Sequence, residues 1–272
     1  MATIPTTCIF CGAKPLSREH IWAKWLGRYI PKVYGRTKHA VTLGQFNRSV
    51  QPGRFHGSSH GNSAKLKVVC HPCNNGWMSR LQMRAKPWLA ALAVGNWSDL
   101  ETDAQEALAA WVTMFTMVIE FADPPTSIIS SYERREFMRT QSALPGWKIW
   151  IGRYDLGDRG VFNHLSALIA EGPLYSEAAH HPNTQTTGFS IGKTVFQVFS
   201  TRSRHVEEDV GFALRYGLQT IWPARRTIRP PTTLHTFATF MEMSNDFANR
   251  ASGDAPLTAV PLDLSRPGRP AA

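Results

Sequence analysis

Cys70-His71-Pro72-Cys73-Asn74-Asn75-Gly76-Trp77 is the stretch that decides the fold. A Cys-x-x-Cys pair presents two sulfurs from one tight turn, which is half of a tetrahedral zinc site. The other half stands near the start of the chain, at Cys8-Ile9-Phe10-Cys11-Gly12, where Gly12 suits the turn. All four cysteines of the chain lie in these two pairs. Four thiolates imply a closed, structural zinc site with no open position for substrate. The long insert between the pairs is no obstacle, because the entropy of loop closure grows slowly with length. Four cysteines in 272 residues are too sparse for a disulfide scaffold, and a redox motif needs only one pair.

Around these pairs the charge is one-sided. The chain carries a formal +10. Residues 1–98 hold 14 Lys and Arg against the single acid Glu19, and residues 99–272 hold 16 bases against 19 acids. A segment that basic suits a polyanion, above all nucleic acid, through release of phosphate counterions. With 43% apolar residues the chain has enough core-forming surface to exclude general disorder. Its longest apolar stretch, Ala107–Ile119, is too short to span a bilayer and contains Thr113 and Thr116. Met1–Thr7 has no apolar leader core, so a cytoplasmic protein with no membrane partner is expected.

Between the cysteine pairs sits Ser17-Arg18-Glu19-His20-Ile21, and just after the second pair comes Asn74-Asn75. In order and in chemistry the set Cys8-x-x-Cys11, Glu19-His20-Ile21, Gly27 and Cys70-x-x-Cys73-Asn74 resembles the HNH endonucleases of the ββα-metal superfamily. The resemblance covers residues 5–85, about a third of the chain. It implies that His20 is the general base, Glu19 a ligand of a catalytic Mg²⁺ or Mn²⁺, and Asn74 the second ligand. Asn62 is the candidate for the middle Asn of the motif, although it lies further from Cys70 than is usual. Asn75 takes the place of Asn74 if the helix register shifts by one. The Pro that commonly follows His-Ile is absent, with Trp22-Ala23-Lys24 in its place.

The chemistry accounts for those residue types. Histidine titrates near neutrality and can take a proton from water. A hard cation on a carboxylate and an amide oxygen offsets charge on the phosphate and the leaving oxygen. Glu19 stands out as the one carboxylate of a 98-residue basic segment, beside a histidine. Trp22, Trp25 and Trp77 either stack on unpaired bases or form core around the zinc module.

The fold class expected is α+β: a zinc-stapled ββα-metal module over 1–98, an α+β accessory domain over 99–250 and a disordered tail over 251–272. Ser17 to about Tyr29 carries helical spacing, with Ser17 as its cap or as the start of a strand. A helix from Asn75 is interrupted or ended at Pro87. Ser98-Asp-Leu-Glu101 resembles a capping box ahead of a helix over Asp103–Phe121. A helix over 128–140 follows, then strands at Trp147–Tyr154, Leu165–Ala170, Thr187–Ile191, Thr194–Ser200 and 217–222, and a closing helix at Leu234–Asn249. These form a small mixed or antiparallel sheet.

The function expected is a hydrolase, an endonuclease acting on the phosphodiester bonds of nucleic acid, DNA before RNA. Residues 99–250 would serve a homodimer or a protein partner. The alternatives are a non-catalytic zinc-knuckle nucleic-acid-binding protein and a partner-dependent component of a defence or mobile-element system.

Overall fold

The structure, a computed structural model, describes residues 4–29, 40–43, 49–53, 55, 64–155, 161–167, 182–202 and 210–251. Asn62 and the expected tail beyond Ala251 lie outside them. The described residues form a mixed α+β fold.

Strand β1 (Leu16–His20) pairs antiparallel with β4 (Lys65–Cys70), setting Leu16 opposite Cys70 and His20 opposite Lys65. Between them in the chain, β2 (Ala40–Leu43) and β3 (Ser49–Pro52) make a separate two-stranded sheet. The first half of β4 exposes Lys65 and Lys67 and buries Leu66 and Val68, the period-two signature of a strand with one wet face. It runs directly into α1 (His71–Cys73), a π-turn (Asn74–Met78) and α2 (Ser79–Ala93). Leu81, Ala85, Leu89 and Leu92 form the buried stripe of α2.

Of the two readings of Ser17 the strand holds, within β1, and Ser17 caps no helix: its hydroxyl donates to the Val69 carbonyl (3.1 Å) within the β1–β4 pair. Helical geometry appears only as a 3₁₀ turn at Lys24–Arg28. Nor does Pro87 end its helix, which continues to Ala93. The proline is exposed, and so is Met83, whose carbonyl loses its partner, so water satisfies what the missing N–H leaves open.

Helix α3 (Thr102–Ile119) is buried on almost every side and lies between α2 and the large sheet. It starts after Glu101, not at Ser98. Leu100 is held by two backbone hydrogen bonds to Ile228 (2.9 and 3.0 Å), so the segment before the helix is a bridge and not a capping box. Helix α4 (Ser131–Thr140) does carry a capping box, between Ser130 and Glu133.

The sheet comprises β5 (Lys148–Tyr154), β6 (Phe162–Ala167), β7 (Thr184–Ile191), β8 (Thr194–Thr201), β9 (Gln219–Trp222) and β10 (Leu234–His235). Its order is β10-β5-β8-β7-β6, with β9 also on β5. The β10–β5 pair is parallel and the others are antiparallel. Leu234–His235 is therefore strand, where the start of the closing helix was expected. That helix, α6, runs Phe237–Ala251. Ile149, Ile151, Phe189 and Phe196 share a core with α3. Trp150 and Val195 join Phe212 of α5 (Val210–Tyr216) and Phe240 and Met243 of α6. With both faces covered, β7 is buried along its whole length despite its polar sequence. Its side chains bond internally: Gln185 donates to Ser200 Oγ (3.0 Å), and Thr186 Oγ1 to the Val198 carbonyl (3.0 Å).

One apolar core runs across position 98, joining Phe10, Leu66 and Leu89 to Trp111, Phe137 and Phe196. The β7–β8 turn reinforces it. Lys193 N–H and Thr194 Oγ1 donate to the Ala93 and Leu92 carbonyls (2.9 and 2.8 Å), capping the end of α2. Gly192 permits this approach, with φ +53° and only 2.1 Å between a notional Cβ and the Ala93 oxygen.

Below α3, Glu120 and Arg134 form a buried ion pair. Glu120 also accepts from the Ile128 and Ile129 amides (3.1 and 3.4 Å), and Arg134 donates to the Met117 carbonyl (2.5 Å) and lies over the Phe121 ring. Arg134→Met would strand a buried carboxylate, so urea unfolding should show a loss of about 3–5 kcal/mol. A second prediction concerns acid. His164, between Thr187 Oγ1 (2.8 Å) and the Thr126 carbonyl (3.3 Å), is held neutral by burial, which lowers its pKa to about 4 against the weaker opposing pull of Thr126 and Asp123. The unfolded chain takes up this proton first, near pH 6.5. Stability is thus complete above that pH and falls as pH drops toward 4. His164→Gln should flatten that part of the stability–pH curve relative to wild type.

Candidate functional site

The first cysteine turn is built by short backbone bonds. Gly12 N–H donates to the Cys8 carbonyl (2.8 Å) and Cys8 N–H to the Ala13 carbonyl (3.0 Å), with Gly12 at φ +76°. Ile9 N–H donates to the Val68 carbonyl (3.0 Å), which lays this turn against β4. Phe10 anchors it: the ring is fully buried, edge-on to Trp77 at 5.0 Å, with Phe137 beyond at 6.5 Å. The second turn needs no such device, because Cys70 closes β4 and Cys73 closes the helical turn that follows.

The ligand atoms of Cys8, Cys11, Cys70 and Cys73 all lie within 4.8 Å of one another, and the sulfurs of Cys11 and Cys70 are 3.5 Å apart. Sulfurs at about 2.3 Å from one zinc ion would be separated by about 3.8 Å. The donor set therefore fits a closed zinc site. Its electrostatics ask for a cation. Burial works against the Cys8 thiolate, but backbone hydrogen bonds from Cys11, Cys70 and Phe10 carry its pKa down to about 7. Burial raises Cys70 and Cys73, and the neighbouring cysteines add to the rise at Cys73. The buried Trp77 indole N–H makes no hydrogen bond, and its nearness to Cys73 works against the rise that burial causes there.

One edge of the same strand pair carries the second set of residues. His20 ends β1 just after an irregularity in register between Ser17 and Glu19. Asn74 opens the π-turn after Cys73. Both are half-buried, and both line one small cleft. Asn74 donates one of its two amide N–H groups to Asn75 Oδ1 (3.4 Å), and its oxygen makes no hydrogen bond among the described residues. Asn75 points elsewhere: it is exposed and its Nδ2 bonds His71 Nε2 (2.6 Å). Glu19 precedes His20 in β1, opposite Leu66. Its side chain lies outside the described residues, as does Asn62.

The cleft holds about 40 Å³, room for a few waters, which suits a water, an ion or a phosphate oxygen. Its floor is Leu66 and Val68, and its far wall is α3, through Trp111, Met114, Phe115 and Val118. This wall, from outside residues 1–98, was not legible in the sequence. Neither was Gln82, a further polar side chain in the cleft, which lies on α2 beyond the kink at Gly76 that separates it from Asn74. Of the tryptophans, Trp22 packs on Phe115 at 4.5 Å and Trp77 is core. Trp25 lies against Tyr29, with the Lys86 ammonium 5.5 Å over its ring. Arg18, Lys24, Arg28, Lys65, Lys67 and Arg80 are exposed. No described helix is long and apolar enough to cross a membrane.

No family model, curated protein or solved structure matches this chain. The site therefore rests on its own geometry.

Metal analysis should find one zinc per chain in the purified protein. Cys70→Ser should lose it and lower the unfolding midpoint, because it removes a ligand and leaves three crowded thiols. Retention of full zinc by that variant would refute the assignment.

Proposed function

We propose that this chain is a zinc-stapled, metal-dependent endonuclease of the HNH type. The observation that carries the reading is the shared cleft of His20 and Asn74. One closes the first strand and the other opens the helical stretch of a strand–strand–helix unit, and four cysteines pin that unit together. The basic balance of residues 1–98 supports a nucleic acid as substrate.

In this reading the His20 imidazole takes a proton from water as that water attacks the scissile phosphorus. The Glu19 carboxylate and the Asn74 amide oxygen would hold a divalent ion such as Mg²⁺ or Mn²⁺. When bound, that ion supplies charge stabilisation to the phosphate and the departing oxygen. Asn74 suits the task, since one of its amide N–H groups bonds Asn75 and its oxygen makes no hydrogen bond among the described residues. Trp111, Phe115 and Leu66 exclude bulk water from one side, which strengthens every electrostatic interaction in the cleft. DNA is the preferred substrate and RNA the alternative. Residues 99–250 complete the wall of the cleft and are the region offered to a second copy or a protein partner.

A non-catalytic nucleic-acid-binding role is the second reading. It is favoured by one specific observation: Arg18, Lys65 and Lys67 are exposed on the β1–β4 pair. Plasmid cleavage separates the two. With Mg²⁺ or Mn²⁺ the wild type should cut, and His20→Ala should lose activity by about 10²–10⁴-fold while retaining zinc. If wild type binds DNA but leaves it intact at every pH and metal tried, the binding reading takes over.

A further inference from the structure

The cleft beside His20 and Asn74 is apolar except for three side chains, and the third is Gln82. It sits on α2, at Asn74 plus eight residues, with Met78 between them and also in the cleft. Residues four apart on a helix share a face, which places Gln82 on the face of α2 that carries Met78. A kink at Gly76 separates that helix from Asn74, so it is the cleft, and not a common helix face, that brings Gln82 and Asn74 together. It is half-buried, and its carboxamide makes no hydrogen bond among the described residues. Its amide atoms are not among the buried polar atoms, so water meets them in the free protein, and a polar group entering the cleft could take that water's place. Small-molecule and phosphate sites have this composition: an apolar cleft with a few converging polar groups.

The three groups divide the work by their chemistry. His20 offers an imidazole nitrogen, and Asn74 an acceptor oxygen together with an amide of which one N–H is engaged by Asn75. Gln82 brings an amide whose two N–H donors make no hydrogen bond among the described residues. We propose that Gln82 is a substrate-binding residue of this site, donating through Nε2 to a non-bridging oxygen of the nucleic-acid phosphate. The inference rests on the nuclease reading for its substrate and adds a residue that the motif does not contain. A neutral donor at this point aligns the phosphate without adding charge, so it sets the position of the phosphorus before His20. The positive field comes from the lysines and arginines outside.

The test uses the full-length protein and a fluorescently labelled oligonucleotide. Binding is read by anisotropy with Ca²⁺ in place of Mg²⁺, and cleavage is read with Mg²⁺. Gln82→Leu keeps size and removes the donor, whereas Gln82→Glu keeps shape and sets a carboxylate against the phosphate. A hydrogen bond to a charged group predicts a loss of about ten- to a hundredfold for Gln82→Leu, and more for Gln82→Glu. Zinc content and melting temperature should stay at wild-type values. The slope of log affinity against log salt should also be unchanged, because no charge is removed, whereas Lys67→Ala should reduce it. If Gln82→Leu binds and cuts within twofold of wild type, Gln82 has no such role and the nuclease reading is untouched. If wild type binds but never cuts, the nuclease reading fails, and Gln82 is decided by binding alone: a tenfold loss in Gln82→Leu upholds it and equal affinity overturns it. If wild type neither binds nor cuts, both ideas fall together.

Discussion

Four sulfurs gathered within 4.8 Å of one another set the terms for the N-terminal part of this protein. Three of the cysteines are buried, and burial raises the cost of ionising Cys70 and Cys73. Only a bound cation lets all four be thiolates together, and zinc is suited to the set. The consequence reaches beyond the metal. Cys70 ends β4 and pairs across from Leu16 of β1, so fixing the sulfurs also fixes the strand pair that ends at His20. Cys73 immediately precedes Asn74, so the same constraint sets where the helical stretch departs. The staple and the cleft are two ends of one short unit.

That unit packs against the rest of the described chain through one shared core. Phe10 and Trp77 bind the first cysteine turn to Phe137 of α4. The β7–β8 turn caps α2, and Gly192 is the residue that lets the two backbones meet. The Glu120–Arg134 pair ties the end of α3 to α4. A buried pair of this kind is weak evidence for net stability, because desolvation offsets much of the attraction. Its value here is directional: amides at 128 and 129 and a carbonyl at 117 converge on two charged groups, which fixes one path for the chain.

The parts of this design that were legible in the sequence were local. The cysteine pairs, the strands after 147 and the helix over α3 announce themselves by spacing or period. What the sequence hid was decided at a distance. Leu100 prefers Ile228 to a helix cap, and Ser17 prefers the Val69 carbonyl. Neither partner lies within a window that periodicity examines. Pro87 misled for a different reason, since the penalty for a proline in a helix falls when the orphaned carbonyl faces water. The polar run of β7 is buried because both its faces are covered and its threonines and glutamine bond one another, a pairing set by neighbours distant in the chain. At the site, His20 and Asn74 came from motif order. Gln82 and the α3 wall could emerge only once two separate stretches of chain were brought face to face.

The charge division between the two halves of the chain gains meaning from that wall. Residues 99–272 carry most of the acids, which would repel a phosphate if they bordered the cleft. They do not: among the described residues, the second half lines it only with Trp111, Met114, Phe115 and Val118. On α3 the acids Asp103 and Glu106 lie in the opening turns, well before this wall, and Glu120 just past the helix is consumed by Arg134. On the nuclease reading, a phosphate approaching the cleft would meet the field of a segment with a single carboxylate, sharpened by an apolar backdrop. On the same reading the second half of the chain would serve the site by lining it with uncharged side chains, where an acid would repel the phosphate.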